Sequence, residues 1–175
     1  SYNNISIYTT FRCYNVLVIV AAALSFSSCG VLSRSQSSGD IAEYVIEAIE
    51  TQSFTVDVDH IIPLRGPSRH DYGYSVRVDG EDINSHLPFF GVSSVSTYNE
   101  GNPLSFDGKI REYSCYQDQK GAFVIDFVTF NPANIQVPIY YHITIWGSGS
   151  TYITVNSAGR DSMSYSGNLV EPKTE

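Results

Sequence analysis

Basic residues are scarce in this chain of 175 residues, and their scarcity restricts its partners. Only three lysines are present, and 10 basic residues face 18 acidic ones, for a formal net charge of −8 at pH 7. An acidic protein repels the phosphates of nucleic acids and the head groups of anionic lipids. We therefore expect no nucleic-acid partner.

Cysteine and histidine are also few. Of the three cysteines, Cys13 belongs to the signal peptide predicted below and Cys29 is its predicted lipid site. Cys115 is then left alone, and a lone cysteine makes neither a disulfide framework nor a zinc site. It fits best as a small apolar residue within a strand. The four histidines show no His-x-His or His-x-x-x-His spacing. Strand alternation sends His60 to the face opposite Asp57 and Asp59, so these groups do not converge as ligands. We expect no metal site and no cofactor.

Catalytic motifs are missing as well. The sequence has no G-x-S-x-G elbow, no phosphate-binding glycine loop and no dinucleotide fingerprint. Ser148 and Ser150 lie among glycines, and a turn between two strands explains them without catalysis. We therefore expect no catalytic residues and no enzyme activity, with a hydrolase as the disfavoured alternative.

An apolar run at residues 16–26 is followed by Ser27, Ser28 and Cys29. The run is roughly half of the ~20 residues that a spanning helix needs. An apolar segment that ends in small residues and a cysteine is typical of a bacterial lipoprotein signal peptide. We predict a signal peptide at residues 1–28, a lipid on Cys29 and a membrane-anchored place in the cell envelope, facing the periplasm or the cell surface. A plain cleaved signal peptide is the alternative.

The chain changes character twice after Cys29. Residues 29–39 are rich in serine and glycine and predict a flexible tether. Asp40 is a good N-cap for an amphipathic helix that ends near Gln52. The apolar stripe of this helix consists of Ile41, Tyr44, Val45, Ala48 and Ile49.

Alternating apolar residues dominate the chain after Ser53, and this period of two is typical of β-strands. About eight such segments follow, most of them joined by short turns such as Asp79-Gly80. Strands joined by tight turns pair antiparallel, so we expect an up-and-down barrel or a two-sheet sandwich after the N-terminal helix. The sequence thus predicts one mainly β domain at residues 40–170, with a tail at residues 171–175.

Two finer features of the strands are predicted as well. The runs at residues 122–130 and 139–146 are apolar nearly throughout, which indicates central strands covered on both faces. Asp107-Gly108 indicates a turn between two short strands.

Residues 87–103 form the segment that the strand pattern explains least. Pro88 cannot donate to a ladder, so it ends a strand or marks a bulge. Phe89 and Phe90 point in opposite directions if the backbone is extended, so one can enter the core while the other reaches a rim. We favour a hydrophobic plug at one end of the sheet; the alternative is that both rings, with Tyr98 of the long polar loop, border a ligand pocket.

Arg65 and Arg69 lie in the loop between the first two strands and are candidates for the same site. Two guanidinium groups beside Phe89, Phe90 and Tyr98 would bind a polar ligand through hydrogen bonds and stacking. The alternative is that both arginines only offset the acidic surface.

Several short motifs follow one another in a fixed order: Tyr74-Ser-Val-Arg-Val78, Leu87-Pro-Phe-Phe-Gly91, Leu104-Ser-Phe-Asp-Gly108, Gly121-Ala-Phe-Val-Ile125 and Ser164-Tyr-Ser-Gly167. Together they resemble a domain-of-unknown-function family of Bacteroidetes envelope proteins, catalogued under the number 4251. The resemblance covers about residues 40–170 and implies a single domain behind a secretion or lipoprotein signal. The segment after Gly91 departs from the family, which often has an aromatic, glycine-rich loop there. The resemblance implies no catalytic residues.

Two functions stay open. The first is a non-enzymatic binding module for a small apolar or sugar-like ligand, because 13 tyrosines and nine phenylalanines supply faces suited to stacking. Tyrosine is also a good strand former, so β structure alone would explain the surplus. The second is a structural or interaction lipoprotein that contacts an envelope protein through a sheet edge or through residues 92–103.

Overall fold

The structure is a computed structural model that describes residues 41–94 and 101–171. Helix α1 (Glu43–Thr51) precedes the strands. The strands are β1 (Ser53–Pro63), β2 (Arg69–Asp79), β3 (Asp82–His86), β4 (Ser105–Lys109), β5 (Arg111–Gln117), β6 (Phe123–Asn131), β7 (Asn134–Ile145), β8 (Ser150–Ser157) and β9 (Met163–Leu169). The predicted signal peptide, the tether and Asp40 lie outside the described residues. In the part that is described, no helix is long and apolar enough to cross a membrane.

All nine strands belong to one antiparallel sheet, in the order β4-β3-β2-β1-β9-β8-β7-β6-β5. Strands that are neighbours in the chain are neighbours in the sheet, except that β9 returns to pair with β1 and that β4 does not pair with β5. The predicted mainly β, antiparallel fold with an N-terminal helix is confirmed. One continuous sheet takes the place of the two sheets of a sandwich.

The two edge strands follow each other in the chain, separated only by Ile110. No ladder joins them among the described residues, so the sheet is not closed by strand pairing. Two side chains of β6, the strand beside the edge strand β5, nevertheless reach the β4 side of the sheet: Thr129 Oγ1 donates to the carbonyl of Lys109 at 2.9 Å, and Asn131 Nδ2 donates to the carbonyl of Pro103 at 3.1 Å. The sheet therefore curls until β4 lies near β6.

The core fills the inner face of this sheet. Side chains from several strands are buried there together, among them Phe54, Val56, Val76, Ile125, Phe127, Ile143, Ile145 and Val155. The predicted helix stripe is confirmed too, since Val45, Ala48 and Ile49 are buried while Ile41 and Tyr44 pack against the cluster. Helix α1 begins after Ala42, which makes no side-chain cap, and ends at Gln52 in the left-handed conformation.

Tyr141 and Tyr165 are fully buried in this core, and both hydroxyls are hydrogen-bonded. Tyr165 donates to the carbonyl of Pro88 at 2.7 Å. The hydroxyl of Ser85 donates to the carbonyl of Leu104 at 2.7 Å, so the Tyr141 hydroxyl, 2.8 Å from Ser85 Oγ, is the donor to Ser85. Burial raises the pKa of both tyrosines, because the charged phenolate would be cut off from water. These bonds tie β7 and β9 to residues near the end of β3.

A β-bulge in β1 overturns the expected position of His60. The register with β2 and β9 shifts between Val58 and His60, so Ile61 points inward and His60 faces outward, on the same face as Asp57. One extra residue reverses the alternation of everything after it, which the sequence pattern did not reveal. Gly167 of β9 lies beside this bulge, and a Cβ there would meet the Asp57 carbonyl oxygen at 1.9 Å.

The prediction of cover on both faces holds for residues 122–130, where every residue is buried or half-buried, and two other finer predictions are wrong. Asp107-Gly108 lies inside β4 rather than in a turn, because β3 pairs along the whole of residues 105–109. The stretch at residues 139–146 is not covered on both faces: β7 alternates, and Tyr140 and His142 are exposed. The apolar content of this stretch did not distinguish an exposed aromatic ring, such as Tyr140, from a buried one, such as Tyr141.

Candidate functional site

The segment after β3 crosses one end of the sheet. Leu87 and Pro88 are buried, Phe89 packs against the core, and Phe90 remains 41 % exposed. The two rings thus point in opposite directions, as an extended backbone requires. There is no room for a side chain at Gly91, where a Cβ would lie 2.7 Å from the Cβ of Asp161.

The structure brings four of the sequence-predicted site residues to this end. The Arg69 guanidinium carbon lies 4.1 Å from the centre of the Phe90 ring. Arg65 Nε lies 3.7 Å from Asp161 Oδ2, and the same oxygen accepts a hydrogen bond from the backbone of Val92 at 3.0 Å. Tyr98, the fifth predicted residue, lies outside the described residues.

At this end of the sheet, arginine side chains lie next to exposed apolar side chains. Leu64 and Val92 are each 61 % exposed beside Arg65, and Phe90 is exposed beneath Arg69. Exposed aromatic and aliphatic side chains next to arginine are typical of protein contact surfaces. We call Leu64, Arg65, Arg69, Phe90 and Val92 the arginine end.

A concave site lies elsewhere, on the outer face of β5 to β8. It is a groove of about 280 Å³, and we call it the outer-face groove. Its polar and aromatic side chains are Glu112, Asp126, Tyr140, His142 and Asn156. None of these five was predicted as a site residue.

A histidine–carboxylate pair lines the groove. Asp126 of β6 and His142 of β7 are direct cross-strand partners, and His142 Nδ1 lies 2.6 Å from Asp126 Oδ1. Because a carboxylate only accepts, Nδ1 is the donor, and the bond fixes the ring orientation. Both side chains are close to half exposed.

Glu112 reaches the groove through a second β-bulge. The register of β5 against β6 shifts between Arg111 and Ser114, and Glu112 has a φ of 54°, in the left-handed region. A non-glycine residue there is strained by about 1–3 kcal/mol. Bulges re-aim side chains, and this one adds a second carboxylate to the groove beside Asp126.

Polar side chains continue across the outer face from this pair. Thr154 of β8 is the cross-strand partner of His142, and its hydroxyl lies 3.4 Å from that of Ser164 on β9. The next row places Asn156 opposite Tyr140, whose ring is 51 % exposed. Carboxylates, an imidazole, an amide and an exposed aromatic ring therefore share one concave surface.

A second depression lies on the outer face of β2 to β4, but its polar groups bind one another. Arg77 pairs with Asp79 at 3.4 Å, and Asn84 Nδ2 donates to Asp107 at 2.6 Å. Lys109 bonds Asp82 at 2.6 Å, and this hydrogen bond raises the lysine pKa. Unlike the outer-face groove, this depression is lined by no aromatic ring and no histidine, so we regard it as a surface feature.

The sequence offered no signal for the groove. Asp126 and His142 are 16 residues apart and meet only through the register of β6 with β7. Within residues 41–94 and 101–171, no cluster of three or more histidine, cysteine or acidic side chains is arranged to hold a metal ion.

Comparison with known proteins places the chain in a family. The family model described as "Domain of unknown function (DUF4251)" matches residues 36–169. The chain belongs to the DUF4251 family. The match covers the predicted domain almost from end to end and confirms the resemblance read from the short motifs. No curated protein matches the chain.

A solved structure shares the fold. It is the crystal structure of a DUF4251 family protein from Bacteroides eggerthii, with a TM-score of 0.57 and 17 % sequence identity. The similarity covers 73 % of this chain and 85 % of that one. At this identity the likeness shows the fold alone, so a function for this DUF4251 chain has to be argued from its own side chains.

Proposed function

We propose that this DUF4251 chain is an envelope lipoprotein, lipidated at Cys29, whose β domain binds a small, hydroxyl-rich, sugar-like ligand in the outer-face groove. The observation that carries the proposal is the Asp126–His142 pair, which presents two polar groups in fixed orientation beside the exposed ring of Tyr140. The segment at residues 16–29 supports the lipid anchor by its pattern of apolar and small residues before a cysteine.

The groups in the groove match the chemistry of a sugar. Carboxylate oxygens of Glu112 and Asp126 accept hydrogen bonds from hydroxyls, and Asn156 can both donate and accept. The Tyr140 ring supplies an apolar face for the C–H side of a pyranose ring. At about 280 Å³ the groove lies near the lower end of ordinary ligand sites, which span roughly 300–1,000 Å³, so it suits one or two sugar units.

An apolar ligand inside the sheet receives less support. Phe127 stacks on Tyr141 with ring centres 5.0 Å apart, and Tyr141 and Tyr165 are fully buried. Large side chains therefore occupy the space that a lipid-like ligand would need in the described interior. The groove, by contrast, is open to solvent and polar.

Binding to an array of bacterial envelope glycans tests the proposal. We expect the full chain to bind a restricted set of glycans, and Asp126→Asn and Tyr140→Ala to abolish that binding. Tyr116→Ala is the matched control, because Tyr116 is 53 % exposed on β5 and does not line the groove. Binding that survives both groove variants, or no binding of any glycan by the folded wild-type chain, would contradict the proposal.

A protein partner at the arginine end is the second candidate function. Phe90 and Val92 are exposed beside Arg65 and Arg69, and such a surface is typical of protein contacts. Cross-linking in the native envelope, followed by the same experiment with Phe90→Ala, separates the two functions. A protein captured by the wild type and lost in Phe90→Ala favours this candidate, and an unchanged pattern disfavours it.

A further inference from the structure

The bulge in β1 has a second consequence, since it places His60 directly opposite His70 on the outer face of the sheet. The two residues are cross-strand partners of β1 and β2. His60 Nδ1 lies 3.2 Å from each ring nitrogen of His70, and the rings meet edge to face with centres 4.2 Å apart. His60 is half-buried and His70 is exposed. Without the bulge, His60 would point into the core.

We propose that His60 and His70 chelate a divalent first-row transition metal, of the kind that prefers imidazole ligands, such as Ni²⁺, Cu²⁺ or Zn²⁺. Metal–nitrogen bonds to histidine are about 2.0–2.1 Å long. Two such bonds to nitrogens 3.2 Å apart subtend an angle of about 100°, between the octahedral and the tetrahedral value. The distance between the nitrogens is therefore short enough for one metal ion. Because His60 Nδ1 faces the flat side of the His70 ring, that ring has to turn to direct a nitrogen at the shared ion.

The surroundings allow the rings to turn toward a shared ion. The histidine side chains lie at the surface of the sheet, where rotation about the Cβ–Cγ bond is not hindered by a packed core. Ser166 of β9 faces His60 from the other side, so polar groups border the pair. Because the described residues offer no third histidine, cysteine or carboxylate in place, water or a bound molecule completes the coordination.

This site is independent of the outer-face groove. The groove lies on β5 to β8 and uses His142, whereas the histidine pair lies on β1 and β2. The two proposals can therefore fail separately: the loss of glycan binding says nothing about the metal, and the reverse also holds.

Calorimetric titration of the untagged full chain with Ni²⁺ tests the proposal. Ni²⁺ is the probe because it prefers imidazole and is not reduced by the cysteine thiols. We expect one saturable equivalent of Ni²⁺ that is lost in His60→Ala, in His70→Ala and, to the same extent, in the double variant, because chelation needs both rings. Circular dichroism shows whether each variant remains folded.

Two single-histidine variants are the controls. His86→Ala removes a surface histidine on β3 that contacts Ser105, and His142→Ala removes the histidine of the groove. Both controls should keep the Ni²⁺ equivalent. The proposal is wrong if the folded wild type binds no Ni²⁺, if both pair variants bind it as the wild type does, or if His142→Ala is the variant that loses it.

Discussion

Ser85→Ala should destabilise the domain through the partner that it leaves behind. Ser85 is 1 % exposed, and its hydroxyl both donates to the Leu104 carbonyl and accepts from the Tyr141 hydroxyl. The Leu104 carbonyl keeps a second donor, the backbone N–H of Leu87 at 3.2 Å. The substitution therefore leaves mainly the Tyr141 hydroxyl without a hydrogen-bond partner, in a core that water does not reach.

The expected losses of stability differ because the Leu104 carbonyl keeps a donor while the Tyr141 hydroxyl does not keep an acceptor. A buried donor without a partner costs about 1–3 kcal/mol, so Ser85→Ala should lose about that much free energy of unfolding. Tyr141→Phe leaves Ser85 still bonded to Leu104, so its cost should be near the ~1 kcal/mol of one net hydrogen bond. In the double variant no buried hydroxyl is left without a partner. Its loss in free energy of unfolding should therefore be smaller than the sum of the two single losses by about 1 kcal/mol.

Urea denaturation of the wild type, the two single variants and the double variant measures the coupling between Ser85 and Tyr141. Tyr165→Phe serves as the matched control, because its hydroxyl bonds the Pro88 carbonyl and belongs to a separate hydrogen bond. Combined with Ser85→Ala, the control substitution should be closer to additive. Losses for Ser85→Ala and Tyr141→Phe that add within about 0.3–0.5 kcal/mol would refute the reasoning.

Three further outcomes are expected. Burial raises the pKa of Tyr141 and Tyr165, so their contribution to the free energy of unfolding is fully present below the unfolded-state pKa of about 10 and is lost as the pH rises above it. Tyr165→Phe should reduce this loss of stability at high pH, as measured by urea titrations. An equal loss in the variant and the wild type would contradict this account. Ile143→Ala should cost about 2–5 kcal/mol in chemical denaturation, since its side chain is fully buried, and a loss below about 1 kcal/mol would be inconsistent with that burial. Cys29→Ala should abolish labelling by a fatty-acid probe without unfolding the domain, and label retained in this variant would disprove the anchor.

The parts of the fold that depend on local pattern were predictable. Alternation identified the inward side chains of β1 before its bulge, and the apolar stripe of α1 gave its buried face. Asp79-Gly80 gave the hairpin between β2 and β3, where the two strands pair up to Asp79 and Asp82. These features depend on the strand period, the helix period and one type of turn. Each of them is specified by residues that are close together in the sequence.

The candidate groove depends on information that is not local. The Asp126–His142 pair requires the register of β6 with β7, and Glu112 requires a bulge that no residue type announces. The bulge after Val58 likewise reversed the expected face of His60. An extra residue changes which face every later side chain occupies, so alternation fails beyond it.

The arginine end shows an intermediate case. The sequence placed Phe89, Phe90, Arg65 and Arg69 at one end, and the structure brings all four there. Their detailed contacts were not predictable, since Asp161 comes from the turn before β9, far along the chain. Whether this end binds a ligand stays a prediction, as does any part for Tyr98.

Native mass spectrometry of the protein purified from its own envelope tests the central proposal most directly. We predict that the wild-type chain retains a small, carbohydrate-like molecule and that Tyr140→Ala, prepared in the same way, does not. The Tyr116→Ala control should keep the molecule, because Tyr116 lies outside the groove. A wild-type chain that carries only a protein partner, or a small molecule retained equally by Tyr140→Ala, would contradict a sugar-binding groove.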